Sequence, residues 1–122
     1  MAEAVLAEGI DKDGGIWNEA DKNGLLNEEK DWWPQAEAMV GFYNAYQLTQ
    51  DTRFLDASGA VWTFIDRYIV DHELGEWYWA VDEHQQPLAH APKVSAWKCP
   101  YHNGRACFEM IGRLQAAAKE TH

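Results

Sequence analysis

Cysteine is scarce in this 122-residue chain: Cys99 and Cys107 are the only two. Two cannot frame a disulfide-stapled small domain, so both are read as reduced thiols in a cytoplasmic protein. Basic residues are also in deficit, with 10 Lys and Arg against 20 Asp and Glu and a formal charge of −10. That balance argues against a nucleic-acid or anionic-membrane partner, because both need clustered Lys and Arg. Long apolar runs are missing, which argues against a membrane span. Met1 to Glu8 carries acids and no apolar core, so it is not read as a signal peptide. There is no Gly-x-Ser-x-Gly elbow and no phosphate loop. His72-Glu73-Leu74-Gly75-Glu76 lacks the second histidine of a zinc-protease helix.

What is present suits one folded domain over residues 1–122. Apolar residues make up 47% and charged residues 25%, and the length allows roughly two-thirds of the unfolded surface to be buried. Seven Trp, five Tyr and four Phe are the unusual feature. Trp offers a flat apolar face and one N–H donor, which suits a core or a surface that stacks on a sugar ring. The Asp-rich turns Asp11–Gly15 and Asp21–Leu25 put Gly15 and Leu25 where a calcium loop needs an oxygen ligand, so they are read as solvated turns.

The spacing predicts helices over Ala2–Ile10, Asp31–Leu48, Asp51–Val70 and from Pro100 or Tyr101 to Lys119. Asp31 is the expected N-cap of the second, with Pro34 tolerated in its first turn. Trp32, Ala36, Met39, Tyr43 and Tyr46 form its core stripe, and Trp33, Glu37, Val40 and Asn44 the stripe beside it. The short Thr49-Gln50-Asp51 link makes the second and third helices antiparallel. Ala106, Met110, Leu114 and Ala117 line the last helix. A small hairpin or an extended loop is expected across Asp21-Lys22-Asn23-Gly24 and a short strand over Gly75–Asp82. Trp32, Trp62, Trp77 and Trp79 are read as core or rim. The Ala91–Cys99 segment reads as an extended loop.

Four positions stand out for chemistry. His102 falls at a helix start, where the positive end of the dipole disfavours imidazolium and leaves a neutral ring able to act as a general base. A histidine that merely caps or packs there is the plainer alternative. Arg105, Ala106 and Glu109 fall near its face. Trp33 and Glu37, at i and i+4, form either a stacking platform beside a carboxylate or a core Trp next to a surface Glu. Trp97 has the same ambiguity. His84, His90 and His122 are read as solvated or terminal. Cys99, His102 and Cys107 match no common zinc spacing, so no metal site is expected.

Asp31-Trp32-Trp33-Pro34-Gln35-Ala36-Glu37-Ala38, Gly41-Phe42-Tyr43-Asn44-Ala45-Tyr46, Gly75-Glu76-Trp77 and Trp97-Lys98-Cys99-Pro100-Tyr101-His102-Asn103-Gly104-Arg105-Ala106-Cys107 occur in that order. Together with Gly14-Gly15-Ile16-Trp17-Asn18-Glu19, they resemble the C-terminal part of the N-acylglucosamine 2-epimerase family, and its cellobiose-type members most. The resemblance implies an all-α chain of helical hairpins with a small β-hairpin, forming the last third of an (α/α)6 barrel of twelve helices. It implies isomerase chemistry at C2 of a small sugar or disaccharide, without a metal or redox cofactor. Ring opening, removal of the C2 proton to a cis-enediolate and proton return would use two histidines on opposite faces. By motif position His102 is one of them. Trp33, Glu37 and Trp97 are sugar-binding, with Asn103 and Arg105 in support. The second histidine and an enediolate-stabilising Arg belong to family segments that this sequence does not match, and Met1 aligns inside the family fold. Half of an acid/base pair can exchange the C2 proton but not invert the carbon. A non-catalytic carbohydrate-binding module and a self-assembling structural fragment stand beside the enzyme reading. Exposed barrel faces would favour a homo-oligomer.

Overall fold

Helical periodicity accounts for most of the architecture. The computed structural model describes residues 2–17, 19–21, 24–27, 29–96 and 98–120. Helix α1 (Ala2–Ala4) loosens into a π-helical turn, Val5–Gly9. Strands β1 (Glu19–Asp21) and β2 (Gly24–Asn27) form the expected antiparallel hairpin, with a bulge between Glu19 and Ala20. Strand β3 (Lys30–Asp31) leads directly into helix α2 (Trp32–Thr49). Helix α3 (Thr52–Phe64) continues as a π-helical turn, Ile65–Ile69, and helix α4 (Tyr101–Glu120) closes the order. A second small ladder pairs β3 with β4 (Ala80–Val81), matching Lys30 with Val81 and Asp31 with Ala80.

Helix α2 is the centre of the packing and touches both α3 and α4. The chain reverses at Gln50, whose φ of 59° lies in the left-handed region and whose N–H bonds the Tyr46 carbonyl at 2.7 Å. Asp51 caps α3 by accepting from the Arg53 N–H at 3.0 Å. Phe42 then stacks on Phe54, and Ser58 Oγ donates to the Met39 carbonyl at 2.8 Å. Those two pairings run in opposite directions along α2 and α3, as the antiparallel expectation requires. Phe64, Ile65 and Ile69 fill the core beneath them.

Two local expectations fail and a third holds only in part. Asp31 takes the expected N-cap position of α2, but its side chain makes no capping bond. The strand expected over Gly75–Asp82 shortens to Ala80–Val81, with one isolated bridge from Val70 to Trp77. The cause is a turn: Gly75 and Glu76 have φ of 85° and 61°, and the Asp71 carboxylate accepts from the Glu73 and Leu74 N–H groups. Trp77 is buried and Trp79 packs edge-on against Trp32 as expected, but Trp62 is 43% exposed. It lies on the wall of an apolar groove of about 450 Å³ between α3 and α4, shared with Leu55, Ile111 and Leu114. Along the α4 stripe Ala106 is buried and Met110 partly buried against the core, while Leu114 is exposed.

Gln35 ties the turn after α1 to α2. Its Oε1 accepts from the Ile16 N–H at 2.7 Å, and its Nε2 donates to the carbonyls of Ile16 at 2.9 Å and Asp31 at 3.1 Å. Beside it, the buried Lys30 ammonium reaches Asp11 at 2.7 Å and Asp13 at 3.0 Å. Burial pushes the Asp13 carboxyl up, but hydrogen bonds from Gly15 and Lys30 outweigh it and hold it below the usual carboxylate range. The Gly14 backbone (φ 91°) comes so close to the Ala60 carbonyl that a Cβ there would sit 2.5 Å from its oxygen. Truncating Gln35→Ala strands a buried N–H and a buried carbonyl, so it should cost about 2–4 kcal/mol in urea unfolding. A loss under about 0.5 kcal/mol would show that the tether is dispensable.

Candidate active site

The starts of α2 and α4 meet at one edge of the fold. Trp33 and Glu37 are one turn apart on α2, while His102 and Arg105 lie on the first turns of α4. The buried Ala106 lets α4 approach α2 closely enough to bridge 65 residues of sequence. His102 Nδ1 lies 2.9 Å from Glu37 Oε1, and Arg105 Nη2 donates to Glu37 Oε2. Trp33 is 45% exposed, with its ring centre 6.0 Å from the His102 ring. Trp32 and Tyr101 present edges to the same imidazole at 6.2 and 5.1 Å. Trp33 and Glu37 also wall a cleft of about 790 Å³ that runs along α2 toward α1.

The electrostatics are specific. Burial pushes the Glu37 carboxyl up, but the Arg105 and His102 hydrogen bonds outweigh it and hold it below its ordinary value of 4.5. The same contact raises the Arg105 guanidinium. An ionised carboxylate can only accept, so Nδ1 of His102 carries a hydrogen, and in the neutral ring Nε2 keeps its lone pair. The arrangement can take up a proton at Nε2 and stabilise the cation that results.

Of the expected site residues, the structure brings together His102, Glu37, Trp33 and Arg105. Trp97 lies outside the described residues. Asn103 is not in the cleft: it is buried, and its Nδ2 donates to Glu76 Oε1 at 2.6 Å, because it lies on the opposite side of the first α4 turn from Arg105. Glu109 turns to Arg113 at 3.0 Å instead of joining His102. Glu76 and the buried Lys98, which faces it at 3.6 Å, were not singled out by sequence reasoning, although both lie inside the quoted motifs. Among the described residues no three His, Cys, Asp or Glu side chains cluster to hold a metal. Both cysteines are free, and no described helix is long and apolar enough to cross a membrane.

The family profile described as N-acylglucosamine 2-epimerase (GlcNAc 2-epimerase) matches residues 1–106. The cellobiose 2-epimerase of Dictyoglomus turgidum is 45% identical over 115 residues, covering 93% of this chain and 29% of the relative. The solved cellobiose 2-epimerase of Bacillus thermoamylovorans superposes with a TM-score of 0.85 at 41% identity, over 92% of this chain and 29% of that one. A D-mannose isomerase superposes with a TM-score of 0.83 at 26% identity, over 91% and 29%. These neighbours are (α/α)6 barrel enzymes, and the chain spans less than a third of their length.

The depressed Glu37 carboxyl sets a pH dependence. A carboxylate whose folded-state value is lowered stabilises the fold above its unfolded value and loses that contribution as pH falls through the folded one. Glu37→Gln should therefore be less stable than the parent at about pH 6, and the gap should close below about pH 4. Urea midpoints across that range measure it. A gap that widens on acidification would overturn the assignment.

Proposed function

The chain belongs to the N-acylglucosamine 2-epimerase family, and from that membership we propose that Trp33, Glu37, His102 and Arg105 form one acid/base edge of a sugar 2-epimerase or aldose–ketose isomerase site. The substrate class is a cellobiose-type disaccharide or mannose. The observation that supports the reading most is the 2.9 Å contact between His102 Nδ1 and Glu37, next to the exposed Trp33 ring. Once the sugar ring opens, His102 Nε2 removes the C2 proton. The C2–H electron pair forms the C1–C2 double bond, and the negative charge moves to the former carbonyl oxygen. Glu37 holds Nδ1–H and stabilises the imidazolium as it forms. Arg105 keeps Glu37 ionised. Trp33 stacks on the apolar face of the sugar, and Trp97, by motif position, does the same. Returning the proton to the same face exchanges the hydrogen, and returning it to the other face needs a second base.

Cellobiose, lactose and mannose in heavy water test this by NMR. The chain should deuterate C2, and His102→Ala should abolish the exchange. Glu37→Gln should slow it by about 10²-fold or more. Sugar-induced shifts of Trp fluorescence without deuteration would replace the enzyme reading with a carbohydrate-binding module, and silence in both would leave a structural fragment.

The reading extends to a cytoplasmic homo-oligomer. The apolar α3–α4 groove, with Trp62 and Leu114 exposed along it, favours burial against another copy. Light scattering should give at least a dimer in dilute buffer, and Leu114→Glu should dissociate it. A stable parent monomer would defeat this part of the reading.

A further inference from the structure

Lys98 makes no contact with the Glu37–His102 pair, yet it is a charged side chain with no exposed surface. Its Nζ donates to the backbone carbonyls of Trp77 at 2.9 Å and Lys93 at 2.8 Å. The same Nζ lies 3.6 Å from Glu76 Oε1 and 5.1 Å from the centre of the Trp32 ring. Burial pushes the Lys98 amine down, and the Glu76 charge works against that.

Glu76 is equally unusual. It holds a φ of 61° directly after Gly75 at 85°, in a region that side chains other than glycine seldom adopt. Its Oε1 accepts from the Trp77 N–H at 2.8 Å and from Asn103 Nδ2 at 2.6 Å. Asn103 is the residue after His102, and Lys98 lies four residues before it. One carboxylate therefore ties down both sides of the segment that carries the imidazole. The Trp32 ring touches both parties, with Lys98 Nζ against it and the His102 ring at 6.2 Å.

Stability alone is a weak reason for this arrangement. A buried ion pair is often matched or bettered by apolar residues of the same volume, and glycine would suit the backbone at position 76 better than glutamate. The arrangement makes sense as a geometric device. We propose that Glu76 and Lys98 are positioning residues for His102, fixing the first turn of α4 so that Nδ1 stays on Glu37 and Nε2 is left for the sugar. Neither touches substrate. The inference rests on the reading of His102 as the acid/base group.

Ring-nitrogen NMR of the full chain, with the His102 signals identified through His102→Ala, tests it separately from activity. Glu76→Gly removes the carboxylate while easing the backbone, and Glu76→Gln keeps an acceptor for Asn103 but loses the charge facing Lys98. Glu76→Gly should retain a cooperative melt while the His102 signals move toward a mixture of tautomers, and C2 exchange should fall about tenfold or more. Glu76→Gln should recover part of both effects. Lys98→Met should shift the same signals, and if it fails to fold, the two Glu76 variants decide the matter. His102 signals unmoved in both Glu76 variants would overturn the inference. Signals that move in a parent with no C2 exchange would support the positioning and reject the epimerase reading instead.

Discussion

Trp32 is the contact on which the site and much of the fold depend. Its backbone N–H bonds the Trp79 carbonyl at 2.8 Å, which joins the β3–β4 ladder to the start of α2. Its ring packs edge-on against Trp79 at 5.2 Å, lies under Lys98 Nζ and faces the His102 ring. One buried indole thus sets the relative placement of the ladder, the loop before α4 and the first turn of α4. Among the described residues its buried Nε1 has no hydrogen-bond partner, a desolvation cost typically about 1–3 kcal/mol. The fold tolerates that cost because the flat ring surface does the joining, and no smaller side chain could reach all three neighbours at once.

Rigidity at this junction matters because the chemistry proposed for His102 depends on a tautomer. Glu37 selects the tautomer only while Nδ1 stays in reach, and Arg105 keeps Glu37 charged from the other side. The carboxylate is only partly buried, so water can also solvate it. A displacement of α4 by an ångström would let water take the place of the imidazole. The polar ties of Glu76, Asn103 and Lys98 act on the same turn, and Ala106 closes the apolar side beneath it. The proposed proton transfer and the packing therefore place demands on one short segment.

Periodicity revealed the long helices and the reversal at Gln50, because apolar spacing and turn chemistry are local properties. It misjudged Gly75–Asp82, where an alternating aromatic pattern reads as a strand but Glu76 adopts a left-handed conformation to serve a partner 27 residues away. It also placed Trp62 in the core. Spacing shows which face of a helix is apolar, not whether anything covers it. The Glu37–His102 pair was beyond local spacing altogether, since 65 residues separate the partners. The family resemblance supplied both residues, and it implied that Glu37 bonds sugar hydroxyls or orients a histidine, without saying which. It also gave Asn103 a supporting role without its partner Glu76, because a motif records proximity in sequence and not the direction in which a side chain points.

The two recesses on α2 differ in chemistry for a reason rooted in helical geometry. Glu37 and Met39 are two residues apart, about 200° around the helix, so they face nearly opposite ways. Met39 and Tyr43 open onto the apolar groove beside α3 and α4. Trp33, Glu37 and Asn44 open onto the wider cleft, where carboxylate and amide groups are interleaved with aromatic surface. An apolar groove gains most by excluding water against protein. A cleft with fixed acceptors beside an indole face suits a ligand that is itself half hydroxyl and half C–H surface. The two proposed roles, assembly and sugar chemistry, therefore fall on opposite faces of one helix, and neither face compromises the other's composition.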